Sequence, residues 1–184
     1  MKPTDILKQE HRNIERMLDV LERSVTRAQS GEEVQPQVFR DAIRFIQLYA
    51  DRCHHGKEED LLFSAMEQRG FPREAGPIAV MLFEHDQGRA HIRSMGEAVE
   101  RYAQGDRGAI GDIHNHALGF VGLLRQHIQK EDHVLFPMAE HHLDRSDLER
   151  LEKEFAEVES SSESCSLKHE LIALLTRLET QFPS

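Results

Sequence analysis

Four long stretches of this sequence repeat apolar residues at the three- and four-residue steps of a single helix face, and a histidine interrupts every one of those stripes. The first reads Leu7, Ile14, Leu18, Leu21, Val25, with His11 where the next apolar residue falls due. The second reads Phe39, Ile43, Ile46, Ala50, then His54 and Glu58, then Leu61 and Ala65. The third reads Ile78, Met81, His85, Gly88, Ile92, Met95, Val99, Tyr102. The fourth reads Ile110, Ile113, Ala117, Phe120, Leu124, His127, Glu131, Leu135. This period predicts amphipathic helices. Short Gly- and Pro-containing turns at Ser30-Gly31, Gly70 to Gly76 and Gln104-Gly105 separate them. Helices so joined pack antiparallel, so the expected fold is all-α: an up-down-up-down four-helix bundle over residues 1–143.

Within that plan, Gly56 is expected to bend the second helix, and Pro137 to end or kink the fourth near Phe136. Residues 144–184 form a helical extension packed on the bundle: a helix from Ser146 to about Val158, a flexible break over Ser160 to Ser164, and a last helix from Ser166 to Gln181.

A net charge of −10 over 184 residues lacks the basic footprint that nucleic acid or an anionic membrane requires. The two cysteines, Cys53 and Cys165, form no CxxC pair, so neither a thiolate zinc site nor a disulfide framework is expected. No signal-type apolar region opens the sequence and no run of 18 apolar residues occurs, so the expectation is a reduced, soluble, cytoplasmic protein. No Gly-rich phosphate loop, nucleophile elbow or nucleotide fingerprint is present, so the sequence names no catalytic residue and no organic substrate.

Six polar residues therefore sit in apolar seams: His11, His54, Glu58, His85, His127 and Glu131. Four of them form two copies of one element, His-xxx-Glu, which places an imidazole and a carboxylate one helical turn apart on the same face. Six buried polar side chains are hard to satisfy by hydrogen bonds alone, and a metal centre satisfies them together. Imidazole with carboxylate favours iron, with manganese or zinc as other fits. Two Glu can each bridge two ions and four His can give two nitrogens per ion. One oxo or hydroxo bridge then completes five donors around each, with one position left open.

The order His11, His54-xxx-Glu58, His85, His127-xxx-Glu131 resembles the hemerythrin-like family, the HHE cation-binding domain, over about residues 4–142. It is carried by Glu10-His11, His54-His55-Gly56-Lys57-Glu58-Glu59, Glu84-His85-Asp86 and His127-Ile128-Gln129-Lys130-Glu131. The resemblance implies a non-heme di-iron centre with Glu58 and Glu131 as bridges, and a role in binding dioxygen, responding to oxygen or nitric oxide, handling peroxide, or iron homeostasis and iron–sulfur repair. Oxygen-carrying members have a second helix-three His where this chain has Arg89, and end on His-xxxx-Asp, which here would recruit Asp132 instead of Glu131. The in-seam Glu131 is the better match, and the resulting four-His, two-Glu set resembles the bacterial nitric-oxide-stress and iron–sulfur-repair relatives, implying a more open centre than an oxygen carrier has.

The remaining candidates read as follows. His55 and Glu59 repeat the His-xxx-Glu spacing one step round the helix and are assigned to the periphery of the centre or the surface. Glu10, Glu84 and Asp86 are candidates to accept hydrogen bonds from ligand imidazoles. His91 lies off the seam. His114 and His116 are expected at the surface or as secondary partners. His133, His141, His142 and His169 are expected in solvent. Tyr49 and Cys53 are expected to pack. Two classes of function fit: an open di-iron site that binds or reacts with dioxygen, nitric oxide or peroxide, or an iron-handling or sensing module without turnover. A structural zinc site is a third. The expected partners are the small ligand, an unidentified redox or regulatory protein, and a second copy of the chain as a homodimer.

Overall fold

The structure, a computed structural model, describes residues 1–160 and 162–183, with the side chains of 162–165 outside the description. Each apolar stripe is a helix. α1 spans Pro3–Gln29. α2 covers residues 36–68 in four joined parts: α-helix Pro36–Phe45, π-helical turns Ile46–His55 and Glu58–Leu62, and α-helix Phe63–Gln68. α3 spans Gly76–Ala103. α4 covers residues 109–142: α-helix Ala109–Lys130, π-turn Glu131–Leu135 and α-helix Phe136–His142. α5 (Arg145–Ser160) and α6 (Ser162–Gln181) complete the chain. No strand occurs among the described residues, and the architecture is a four-helix bundle with two further helices packed on it.

Local chemistry sets the ends. Pro3, Pro36 and Pro77 occupy the first turns of α1, α2 and α3, where a missing N–H costs no hydrogen bond. Gly31 and Gly105, at φ 96° and 97°, carry the chain out of α1 and α3 through the left-handed region open to glycine. Neither Gly56 nor Pro137 ends its helix. Gly56 keeps helical dihedrals (φ −57°, ψ −43°), and the departure from α geometry lies in the π turns on either side of it. Pro137 does not end α4, because the π-turn Glu131–Leu135 widens the hydrogen-bond ladder just before the ring. In the expected Ser-rich break, α5 extends to Ser160 and α6 starts at Ser162, while Ser161 and the side chain of Cys165 lie outside the described residues.

The core is divided in two. One cluster gathers Ile14, Leu18 and Leu21 of α1, Phe39 and Phe45 of α2, Ile92 and Met95 of α3, Phe120 and Leu124 of α4, and Leu171, Leu175 and Leu178 of α6. The other gathers Leu7, Leu62, Phe63, Met66, Ile78, Met81, Leu135 and Phe136 with Leu151 and Phe155 of α5. On every bundle helix the His and Glu positions fall between them: His11 between Leu7 and Ile14, His54 to Glu58 between Ala50 and Leu62, His85 between Met81 and Ile92, Glu131 between Ile128 and Leu135. Burying a Leu or Phe side chain contributes about 1.5–3 kcal/mol, so a polar layer across the middle of such a core persists only if its own groups are satisfied. Among the described residues, no helix is long and apolar enough to cross a membrane.

Candidate metal centre

Successive residues of a regular α-helix point about 100° apart, so two adjacent histidines cannot both face one interior. The π-turn Ile46–His55 removes that restriction by adding a residue to the turn. His54 and His55 are consequently both buried, 1 % and 6 % exposed. Glu58 and Glu131 each open a further π-turn and are fully buried.

All six seam residues meet in the polar layer. Glu58 spans it: Oε1 lies 3.4 Å from His54 Nε2 and Oε2 3.6 Å from His85 Nε2. Glu131 spans it the same way, with Oε2 3.2 Å from His11 Nε2 and Oε1 3.2 Å from His127 Nε2. The Nε2 atoms of His85 and His127 are 3.1 Å apart. Spacings of about 3 Å are those of neighbouring donors around one ion at roughly 2.1 Å. Two groups result, each with its donor atoms within 4.8 Å of one another: His11, His54, Glu58 and Glu131, and His55, Glu58, His85 and His127.

His55 is the member that sequence reasoning placed outside. Its ring stacks on His85 with centroids 3.8 Å apart, inside the second group. Seven side chains therefore converge where six were expected, and the expected shortfall of one donor relative to an oxygen carrier does not appear. Arg89, which stands where those relatives carry a histidine, points to Asp51 and Glu59 instead (2.8 and 2.7 Å).

Every imidazole in the layer is held from behind by a carboxylate on its Nδ1. His11 pairs with Asp132 at 2.7 Å, His54 with Glu10 at 3.0 Å, His55 with Asp51 at 3.3 Å, His85 with Glu59 at 2.7 Å and His127 with Glu84 at 2.9 Å. Such pairing fixes the tautomer with Nδ1–H outward and turns Nε2 inward as a donor to metal. Glu10 and Glu84 take the role expected of them. Asp86 does not: it is exposed and accepts from Arg89. Glu59, expected at the periphery of the centre or the surface, takes the peripheral place on His85. Asp51 and Asp132 were not assigned to that role by the sequence, although Asp51 announces itself four residues before His55. Glu10 is further clamped by Lys57, only 3 % exposed, and by Lys168 of α6, and both lysines also donate to Glu159 of α5.

Behind this order lies an unmet demand. Both oxygens of Glu58, both oxygens of Glu131 and Nε2 of His11 are buried without a hydrogen-bond partner among the described residues. An unpartnered buried carboxylate costs several kcal/mol, and bound cations remove that cost. The donor set fits metal, and the chain is a metal-binding helical bundle.

Without metal, charge is distributed unevenly. Burial works against the imidazolium of His54, but Glu58 and Glu10 overcome it and hold the group up at about 10. His127 also stands at about 10, with Glu131 and Glu84 outweighing burial. His55 and His85 go the other way, down to about 4, because burial dominates their weaker partners. Burial pushes the Glu131 carboxyl up, but His127 and His11 hold it well below the usual carboxylate range. His54 and His127 thus carry protons at neutral pH, and metal must displace both. Metal affinity is expected to rise with pH, by up to about 100-fold per unit between about pH 6 and 8 for two displaced protons. Competition with a chelator of known pH dependence measures this, and a flat profile would contradict it.

The other candidates lie elsewhere. His91 faces His116, Nδ1 to Nδ1 at 3.5 Å, outside both groups, and His133, His141, His142 and His169 are exposed. Tyr49 is buried against Phe45, and its hydroxyl accepts from Asn13 at 2.9 Å. Cys53 is half-buried with a free thiol.

No curated protein and no solved structure gives a significant match to the chain. A family model does: the hemerythrin HHE cation binding domain matches residues 2–139, which include all seven converging side chains.

Proposed function

From the premise that the chain belongs to the hemerythrin HHE cation-binding family, we propose that its polar layer holds two iron ions and that this pair binds or reacts with a small diatomic molecule or peroxide. The observation that carries the reading is the reach of Glu58 and Glu131, each of which directs one oxygen to each half of the layer. His11 and His54 would hold one ion with the two carboxylates, and His55, His85 and His127 the other. When bound, such a pair supplies a redox-active centre with a position for an exogenous ligand. The His11 and His54 half has one protein donor fewer, so that position belongs there.

The chain's own contribution is positional. Five carboxylates fix five imidazoles, and apolar clusters flank the layer on either side. A second reading, a sensing module without turnover, is favoured by the ion network that links Glu10, and through it His54, to Glu159 and Lys168 of the added helices. The two readings separate on turnover: catalytic loss of peroxide or nitric oxide supports the first, and a stoichiometric spectral change alone supports the second.

The deciding experiment is metal analysis with an absorption spectrum of protein from iron-supplemented cells. About two irons per chain, with charge-transfer bands below about 400 nm, is the expected result. A single colourless zinc would overturn it.

A further inference from the structure

A cavity of about 290 Å³ lies beside the histidine layer and is far larger than a diatomic ligand needs. That volume is close to the lower end for organic-ligand pockets. Its inner end is formed by the rings of His55 and His85. From there it follows three helices away from the layer. Gly88 and Ile92 mark the path on α3, Ala50 and Ile46 on α2, and Leu124 and Phe120 on α4. The seven steps along α3 from His85 to Ile92 rise about 10 Å.

Apolar side chains share the lining with Gln47 and with the charged groups Asp51, Glu84, Arg89 and Arg93. Of the charged groups on the lining, Asp51 pairs with His55 and Arg89, and Glu84 with His127 and Lys130. Arg89 is occupied by Asp51, Glu59 and Asp86. Arg93, exposed at the outer end, has no ion-pair partner among the described residues. Gly88 keeps the passage open: a Cβ there would lie 3.3 Å from the Phe120 ring, and any longer side chain would enter the cavity. Glycine in the interior of a helix is unfavourable, so its presence in this wall has a steric use.

We propose that this cavity binds a medium-chain monocarboxylate, with the carboxylate on Arg93 and the alkyl chain running inward past Ile92 and Phe120 to the rings of His55 and His85. A chain of about eight carbons matches the roughly 10 Å run. The guanidinium gives a charge-assisted contact at the mouth, and the apolar wall removes the chain from water. The site is built from the polypeptide alone and goes beyond the iron reading without depending on it.

The test is calorimetric titration of octanoate into the protein as purified, with metal content measured on the same sample. One site per chain with Kd on the order of 100 µM is expected for a ligand of this size. Octanol, which lacks the charge, should bind about tenfold more weakly. Arg93→Gln should weaken octanoate about tenfold and leave octanol unchanged. Gly88→Leu should abolish binding of either while helicity and metal content stay as in the wild type. Should Gly88→Leu disturb the bundle, Ile46→Phe narrows the outer half from the opposite wall to the same end. Absence of saturable octanoate binding, or octanoate binding unaffected by Arg93→Gln or by the filling variants, overturns the proposal. Metal content other than two irons alongside intact octanoate binding would overturn only the iron reading.

Discussion

On the two-ion reading proposed above, Glu131→Ala is expected to carry at most one metal ion per chain, and Glu58→Ala the same. Each substitution removes a side chain whose two oxygens address both halves of the layer, 3.2 Å from His11 and His127 for Glu131, 3.4 and 3.6 Å from His54 and His85 for Glu58. Asp132→Ala is the control. It removes the brace on His11 Nδ1 and the partner of Arg12 but no inward oxygen, so two ions remain, bound about 10–100-fold more weakly. Metal analysis after gel filtration reads all three. Two ions in both Glu variants, or loss of metal in Asp132→Ala to the same degree, would refute the assignment of the carboxylates.

Stripping the metal lowers the melting temperature by about 15 °C or more. Each ion present at about a thousandfold excess over its Kd stabilises the fold by about 4 kcal/mol, and each kcal/mol moves Tm by about 2–4 °C in a chain of this size. The penalty has a visible source in the buried carboxylates of Glu58 and Glu131, which without metal have only histidine Nε2 atoms to face. Thermal unfolding followed by circular dichroism, with and without a chelator, measures it. A shift under about 3 °C would mean that the polar layer satisfies itself.

The fold was legible because the stripes are long and regular. Each seam position given to a helix core, from Leu7 to Leu135, lies in or beside one of the two apolar clusters. The polar interruptions were equally legible, since a His or Glu in such a seam has few ways to be satisfied. His55 escaped because the argument assumed a constant 100° between neighbours, and the π-turn Ile46–His55 breaks that assumption. Nothing in local propensity marks a π-turn, but the doublet His54-His55 followed by Glu58-Glu59 was a signal. Two adjacent His-xxx-Glu pairs are redundant on a regular helix and useful on a widened one, where His55 turns inward and Glu59 reaches His85. Asp51 and Asp132 were illegible for another reason: a carboxylate that braces an imidazole from outside the seam looks like any solvated acid in sequence.

The match to the family stops at residue 139, yet the molecule does not. Glu10, which steadies His54, is gripped by Lys168 of α6 and by Lys57, and Lys57 leans on Phe155 and Glu159 of α5. A chain shortened to the matched segment would keep all seven inward side chains and still lose the lid over this charged knot. It would strand Lys57 and Glu10 at a fresh surface and remove Leu171, Leu175 and Leu178 of α6 from the larger apolar cluster. The smallest metal-binding unit of this protein is therefore expected to be longer than the segment that matches the family, with the two added helices serving as insulation of the centre rather than as an appendage to it.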